Sequence, residues 1–165
     1  MEHFEIERKY LIRMPARELL ETLPSSVIEQ IYILGPDGTR ERIRRREYHD
    51  RCVFTHTSKK RVSDVTRIEK EDEISESEYQ KMKDRADPTR QALHKVRYLY
   101  DYRGQCFELD VFPFWNDRAL LELELESEEQ TILFPPDIAV LREVTSDKRY
   151  TNAAIAREIP FENEV

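Results

Sequence analysis

Acidic and basic side chains recur at intervals of two along most of this chain. Glu5, Glu7 and Lys9 form one such row, and Arg42 with Arg44 another. Thr55, Thr57 and Lys59 follow, then Glu69, Glu71 and Glu73, Lys95 with Arg97, Glu108 with Asp110, and Glu122, Glu124 and Glu126. Alternate residues of a β-strand share a face, so each row occupies one side of one strand. A solvated sheet face is the plainer reading for any single strand, but such faces usually mix their signs. Here the signs segregate by strand, and adjacent like charges repel unless something neutralises them. Clustered carboxylates are hard oxygen ligands suited to Mg2+ or Mn2+. Clustered Arg and Lys suit phosphate, Arg through a bidentate fork. Together the rows fit a polyphosphate chelated to a divalent cation. Phosphoryl transfer needs little more: an attacking water in line, cations on the charged oxygens, and a metal that polarises the reacting group.

The elements that must position these rows are mostly strands. Residues 4–11, 27–34, 39–47, 52–59, 65–74, 93–102, 105–112 and 120–126 read as strands, with a turn over 35–38 and a hairpin at Arg103-Gly104. The faces opposite the charges are apolar: Leu121, Leu123 and Leu125; Phe107, Leu109 and Val111; Val96, Tyr98 and Tyr100. Helices are expected over 15–23, over 76–86 behind the Ser75/Glu78 capping box, and over 137–144, where Ile138, Leu141 and Val144 form a stripe. Many strands and few helices suggest a mainly β (α+β) protein, either an antiparallel β-barrel or an α+β sheet. A closed barrel would turn the apolar faces outward beneath helices and enclose the charges. Such a lumen is expensive unless something binds there.

Composition removes several function classes. The 165 residues fit one domain, 1–165. A net charge of -7 argues against a general nucleic-acid or membrane-surface binder. The Arg40–Arg46 run alternates like a strand, so it is not read as a basic nucleic-acid patch, and Arg45 and Arg46 are expected on the surface. Gly35, Gly38 and Gly104 are the 3 glycines, which excludes a glycine-rich phosphate loop and leaves any phosphate to side chains. No stretch is long and apolar enough to span a bilayer, and the first residues lack a signal peptide's pattern. Cys52 and Cys106 have no metal-ligand spacing, so a reduced, cytoplasmic chain is expected. The 4 His, at positions 3, 49, 56 and 94, form no zinc motif. Trp115, in a loop, is expected to pack on the barrel's outer wall.

The motifs resemble, in order, those of the CYTH superfamily, the triphosphate tunnel metalloenzymes. Glu5-Ile6-Glu7-Arg8-Lys9 matches its opening ExExK, residues 29–34 resemble its second strand, and Arg42-Ile43-Arg44 matches its RxR. Thr57-Ser58-Lys59 is similar to its TxK and Arg67-Ile68-Glu69-Lys70-Glu71 to its RxExE. Lys95-Val96-Arg97-Tyr98, Glu108-Leu109-Asp110 and Glu122-Leu123-Glu124 match its KxRY, ExD and closing ExE, and residues 143–152 resemble its C-terminal segment.

The resemblance implies an eight-stranded antiparallel barrel forming a closed tunnel, and metal-dependent hydrolysis of a triphosphate. It implies that Lys9, Arg42, Arg44, Lys59, Lys95 and Arg97 hold the substrate. Glu5, Glu7, Glu69, Glu71 and Asp110 are implied in catalysis, and Glu5, Glu7, Glu108, Asp110, Glu122 and Glu124 in binding Mg2+ or Mn2+. Within TxK, parity with Thr55 and Thr57 favours Lys59, with Lys60 as the alternative. Glu126 is expected beyond the tunnel mouth. Lys148 and Tyr150 either close over the substrate or pack a helix. The expected partner is a small-molecule triphosphate, with neither nucleic acid nor membrane; a homodimer stays open. Short loops favour inorganic tripolyphosphate. The alternatives are a class IV adenylyl cyclase, a nucleoside or thiamine triphosphatase, and a polyphosphate- or nucleotide-binding module without turnover.

Overall fold

The computed structural model describes residues 2–36 and 39–160, with all their side chains except those of Glu2, His3, Lys60 and Arg61. Eight strands close into an antiparallel barrel: β1 (Glu2–Arg13), β2 (Ser25–Leu34), β3 (Arg40–Glu47), β4 (Cys52–Arg61), β5 (Thr66–Ile74), β6 (Leu93–Tyr102), β7 (Gln105–Val111) and β8 (Arg118–Glu124). The ring runs β5-β4-β3-β2-β6-β7-β8-β1 and is closed by β1 pairing with β5. A ninth strand, β9 (Val140–Glu143), lies outside it. One edge of β1 pairs with β8 over residues 7–13; the other pairs with β5 over 2–6 and then with β9 over 10–12. Closure leaves β1 no open edge along these stretches.

Local sequence explains the joints. Arg103 and Gly104 both have positive φ, 49° and 76°, as a two-residue type I′ hairpin between β6 and β7 requires. Of the turn expected over 35–38, Asp37 and Gly38 lie outside the described residues. α2 (Glu76–Met82) starts where Ser75 accepts a hydrogen bond from the Glu78 N–H, and a 3-10 turn (Lys83–Arg85) continues it. Its Tyr79 is buried against Ile33, Ile43 and Phe54, on the outer face of β2, β3 and β4.

Two helix expectations are corrected. The expected 15–23 helix contracts to α1 (Arg17–Leu20). No helix forms over 137–144, because β1 needs a partner beyond the end of β5. Backbone amides there would otherwise be buried unpaired, and Arg13 N–H to Ala139 O (3.0 Å) and Val144 N–H to Lys9 O (2.8 Å) supply the bonds. The apolar residues accordingly part company: Ile138 packs outside the barrel, while Val144 packs at its end. The outer face of β1, β7 and β8 is covered largely by irregular chain that brings Ile132 and Phe134, with Leu19 and Leu20 from α1. A helix absent from the sequence reading, α3 (Asn152–Arg157), begins behind Thr151, whose Oγ1 accepts from Ala154 N–H.

The inner faces change character at one end. One step beyond Lys9, Lys95, Asp110 and Glu122 on the same faces stand Leu11, Leu93, Phe112 and Leu120, which cluster with Tyr32, Val144, Tyr150 and Ile155. Trp115 belongs to this end plug, its ring 5.5 Å from Phe112 and 6.3 Å from Tyr150, and not to the outer wall as expected.

Candidate active site

Strand register brings the charged rows together. Glu7 lies opposite Glu124, Lys9 opposite Glu122, and Glu122 opposite Glu108. Asp110 lies opposite Arg97, Arg42 opposite Thr57, Thr57 opposite Glu71, and Lys59 opposite Glu69. Two sizeable cavities result among the described residues. One, about 240 Å³, is lined by Glu5, Glu7, Arg42, Arg44, Arg46, Lys59, Glu69, Glu71, Arg97, Glu108, Glu122, Glu124 and Asn152. The other, about 230 Å³, lies beside the C-terminal segment and is more cationic, with Lys9, Arg40, Arg42, Lys59 and Arg67 in its wall.

The cations divide into those gripped closely by carboxylates and those held more loosely. Lys95 and Arg97 both grip Asp110: Lys95 Nζ lies 2.7 Å from Oδ2, and Arg97 bonds both oxygens at 2.8 and 2.9 Å. Arg97 also reaches Glu108 at 2.8 Å. Burial alone would raise the Asp110 carboxyl; Arg97 and Lys95 outweigh it and hold the group well below the usual carboxylate range. Lys95 and Asp110 are fully buried and line neither cavity. Lys9 is 3.1 Å from Glu122 and donates to the Tyr150 carbonyl at 3.0 Å. Arg42 and Arg44 are different. Arg42 donates to the Thr57 hydroxyl at 3.2 Å and lies 3.7 Å from Glu71, Arg44 donates to the Gln30 amide oxygen at 2.8 Å, and the buried Nε of each has no hydrogen-bond partner among the described residues. Burial, with Arg42 and Arg97 nearby, pushes Arg44 down to about 9. Lys59 stands 3.5 Å from Glu69 and 3.8 Å from Glu5. Its side chain is 33% exposed, but into the cavities, and confinement beside Arg42 pushes its ammonium down to about 7.

Among the carboxylates, Glu7 is raised by burial, but Lys59, Lys9 and Arg67 prevail and keep it below its ordinary value. Glu69 goes the other way: burial, then Glu71, Glu124 and Glu108, push it up to about 7. That is a surplus of negative charge a divalent cation would relieve, and the donor set is all oxygen, so the lining fits a hard metal ion. Among the described residues no three carboxylates converge on one point as they stand. Several lean toward cations, as Glu7 does to Arg67 and Glu122 to Lys9.

Several residues of the site escaped the sequence reading, and one was misplaced. Arg46 was expected on the surface, but it shares the inward parity of Arg42 and Arg44, lines the central cavity and donates to Ser26 Oγ at 2.9 Å. Arg45 does face outward, toward Glu47. Arg67 carries the inward parity of Glu69 and pairs with Glu7. Gln30 holds Arg44, and Asn152 arrives from α3, where period-two spacing gives no signal. Lys60's side chain lies outside the described residues. Lys148 is exposed, and Tyr150 is buried in the plug. Among the described residues no helix is long and apolar enough to cross a membrane.

The chain is similar to known proteins in sequence and in fold. The CYTH domain family matches residues 3–150. An inorganic triphosphatase of Nitrosomonas europaea is 34% identical over 160 residues, spanning 94% of this chain and 99% of that protein. An inorganic triphosphatase of Acetivibrio thermocellus is 26% identical over 96% of each. A solved inorganic triphosphatase structure superimposes with a TM-score of 0.55 at 31% identity, covering 95% of this chain and 97% of its own. A Pyrococcus horikoshii protein, at 22% identity and a TM-score of 0.53 over 75% of this chain and 80% of its own, speaks for the fold alone.

Proposed function

From the premise that this chain belongs to the CYTH domain family, we propose that its tunnel hydrolyses inorganic tripolyphosphate with the help of a divalent metal ion. The observation that carries this reading is the state of Arg42 and Arg44. Arg44 is held by a neutral amide, Arg42 by a hydroxyl with Glu71 3.7 Å away, and the buried Nε of each has no hydrogen-bond partner among the described residues. Buried cations of this kind need an anion, and a phosphate chain supplies several negative oxygens. Both named relatives are inorganic triphosphatases, which favours the same substrate.

In this reading Arg42, Arg44 and Lys59 bind the phosphoryl oxygens, with Arg46 and Arg67 extending the cationic wall. Asp110 fixes Lys95 and the Arg97 fork, so that Arg97 meets the substrate already oriented. Glu5, Glu7, Glu122 and Glu124 would hold the metal, Mg2+ or Mn2+, with Glu108 beside them. When bound, that ion would polarise the reacting phosphoryl group and offset its charge. Glu69 and Glu71 would orient the attacking water; the raised Glu69 suits a group that accepts a proton near neutral pH.

The test is turnover of tripolyphosphate with Mg2+ or Mn2+, set beside ATP and thiamine triphosphate and scored for phosphate, pyrophosphate and cyclic nucleotide. Phosphate and pyrophosphate from tripolyphosphate are expected. A ligand at a hundredfold excess over its Kd stabilises the folded state by about 2.7 kcal/mol, so the melting temperature should rise with it. Neither turnover nor a melting shift with saturating tripolyphosphate and metal would sink the reading. Cyclic AMP from ATP would replace it with the cyclase.

A further inference from the structure

One neutral amide stands in a lining otherwise dominated by charge. Asn152 opens α3 and touches both cavities, in a wall section they share with Glu7, Arg42 and Lys59. Its Oδ1 is buried and has no hydrogen-bond partner among the described residues. Buried polar side chains are nearly always paired, so this amide oxygen lacks a donor. Its side chain is not needed to start the helix, because Thr151 Oγ1 already caps it from the Ala154 N–H. Nor is it needed to anchor α3: Arg90 Nε donates to Ala153 O at 2.9 Å, and Gln91 N–H to Ala156 O at 2.8 Å.

We propose that Asn152 is a substrate-contacting residue, one that fixes where the triphosphate sits along the tunnel. This rests on the triphosphatase reading. Carboxylates repel a phosphoryl oxygen, and Arg and Lys have no acceptor to offer. An amide does both jobs. The two ends of the group exchange by a half-turn of the side chain. It can therefore present N–H to a phosphoryl oxygen while its oxygen takes an N–H from Arg42 or Lys59. Placed where the two cavities meet, it marks a single position along a substrate whose phosphates are otherwise alike.

Asn152→Asp separates this role from a structural one. Asp is a favoured residue in the first turn of a helix, so a purely structural position 152 predicts unchanged or higher thermal stability and unchanged kinetics. The expected result is a free-protein melting temperature like the parent's, with KM for tripolyphosphate raised about tenfold or more, the scale of one hydrogen bond to a charged group. Asn152→Ala should raise KM less than Asp, which adds repulsion to the lost donor. The melting shift given by tripolyphosphate without metal should shrink in the same order. If the Asp variant fails to fold, the Ala variant carries the comparison alone. Parental KM and parental melting shifts in the folded variants overturn the proposal. A parent chain that neither cleaves tripolyphosphate nor is stabilised by it overturns the triphosphatase reading itself, a distinct result.

Discussion

Asp110 is the residue on which the cationic wall depends, although it lines neither cavity. It sits between two buried cations, and removing one charge of a buried set leaves the others uncompensated. Asp110→Asn should therefore lower stability by about 3–5 kcal/mol, seen as a shift in the urea midpoint. Glu47→Ala, by contrast, breaks an exposed pair with Arg45 and should change stability by less than about 1 kcal/mol, with kcat untouched. The two charge sets should also separate kinetically. Interactions made in ground and transition states alike show in KM, whereas those acting on charge that develops during reaction show in kcat. Arg44→Ala should raise KM for tripolyphosphate; Glu7→Gln and Glu122→Gln should lower kcat, by about tenfold for each 1.4 kcal/mol lost. Steady-state kinetics with Mg2+ or Mn2+ checks this, and wild-type kcat in both Gln variants would refute the assignment of acids. Parity made these faces readable before any coordinates. It could not say that Asp110 already neutralises Lys95, because ion pairing across strands depends on register.

Strands were legible for a plain reason: charged and apolar residues alternate over whole elements, and a one-residue slip would put every charge on the wrong side. Residues 137–144 were not, because an apolar spacing of three also arises when a short strand links two different clusters. The vacancy on β1's edge decided the matter, and that edge is a property of the assembled barrel. Caps were local enough to read. Ser75→Ala removes the side-chain acceptor at the start of α2 and should lower stability by about 1 kcal/mol without altering turnover, as chemical denaturation and an activity assay can verify. The 87–91 loop that anchors α3 offers a pH test. Hydrogen bonds from Thr89, then Arg90, pull Asp87 down to about 2. A carboxyl depressed in the folded state contributes stability that is complete once the unfolded chain is ionised, above about pH 4. That contribution fades as pH falls through about 2. Asp87→Asn should thus be less stable than the parent at pH 7, and the gap should close between pH 4 and pH 2.

At the scale of the molecule, the barrel is built from partners distant in the sequence. β1 pairs with residues 66–70, 118–124 and 140–143. Long-range pairing must close large loops before any contact rewards it, so refolding from urea should take milliseconds to seconds and not microseconds. Stopped-flow fluorescence of Trp115, buried in the end plug, would follow it; a microsecond phase carrying the full amplitude would contradict the expectation. The triple partnership of β1 also bears on how the chain is made. A ribosome delivers Glu5, Glu7 and Lys9 before every strand that pairs with them, the first of which emerges about sixty residues later. During that interval the first strand has neither edge satisfied, and unpaired edges are where newly made chains stick to one another. The strand that brings the first acids to the site thus waits while its partners are made, and the tunnel closes only when the first and eighth strands meet.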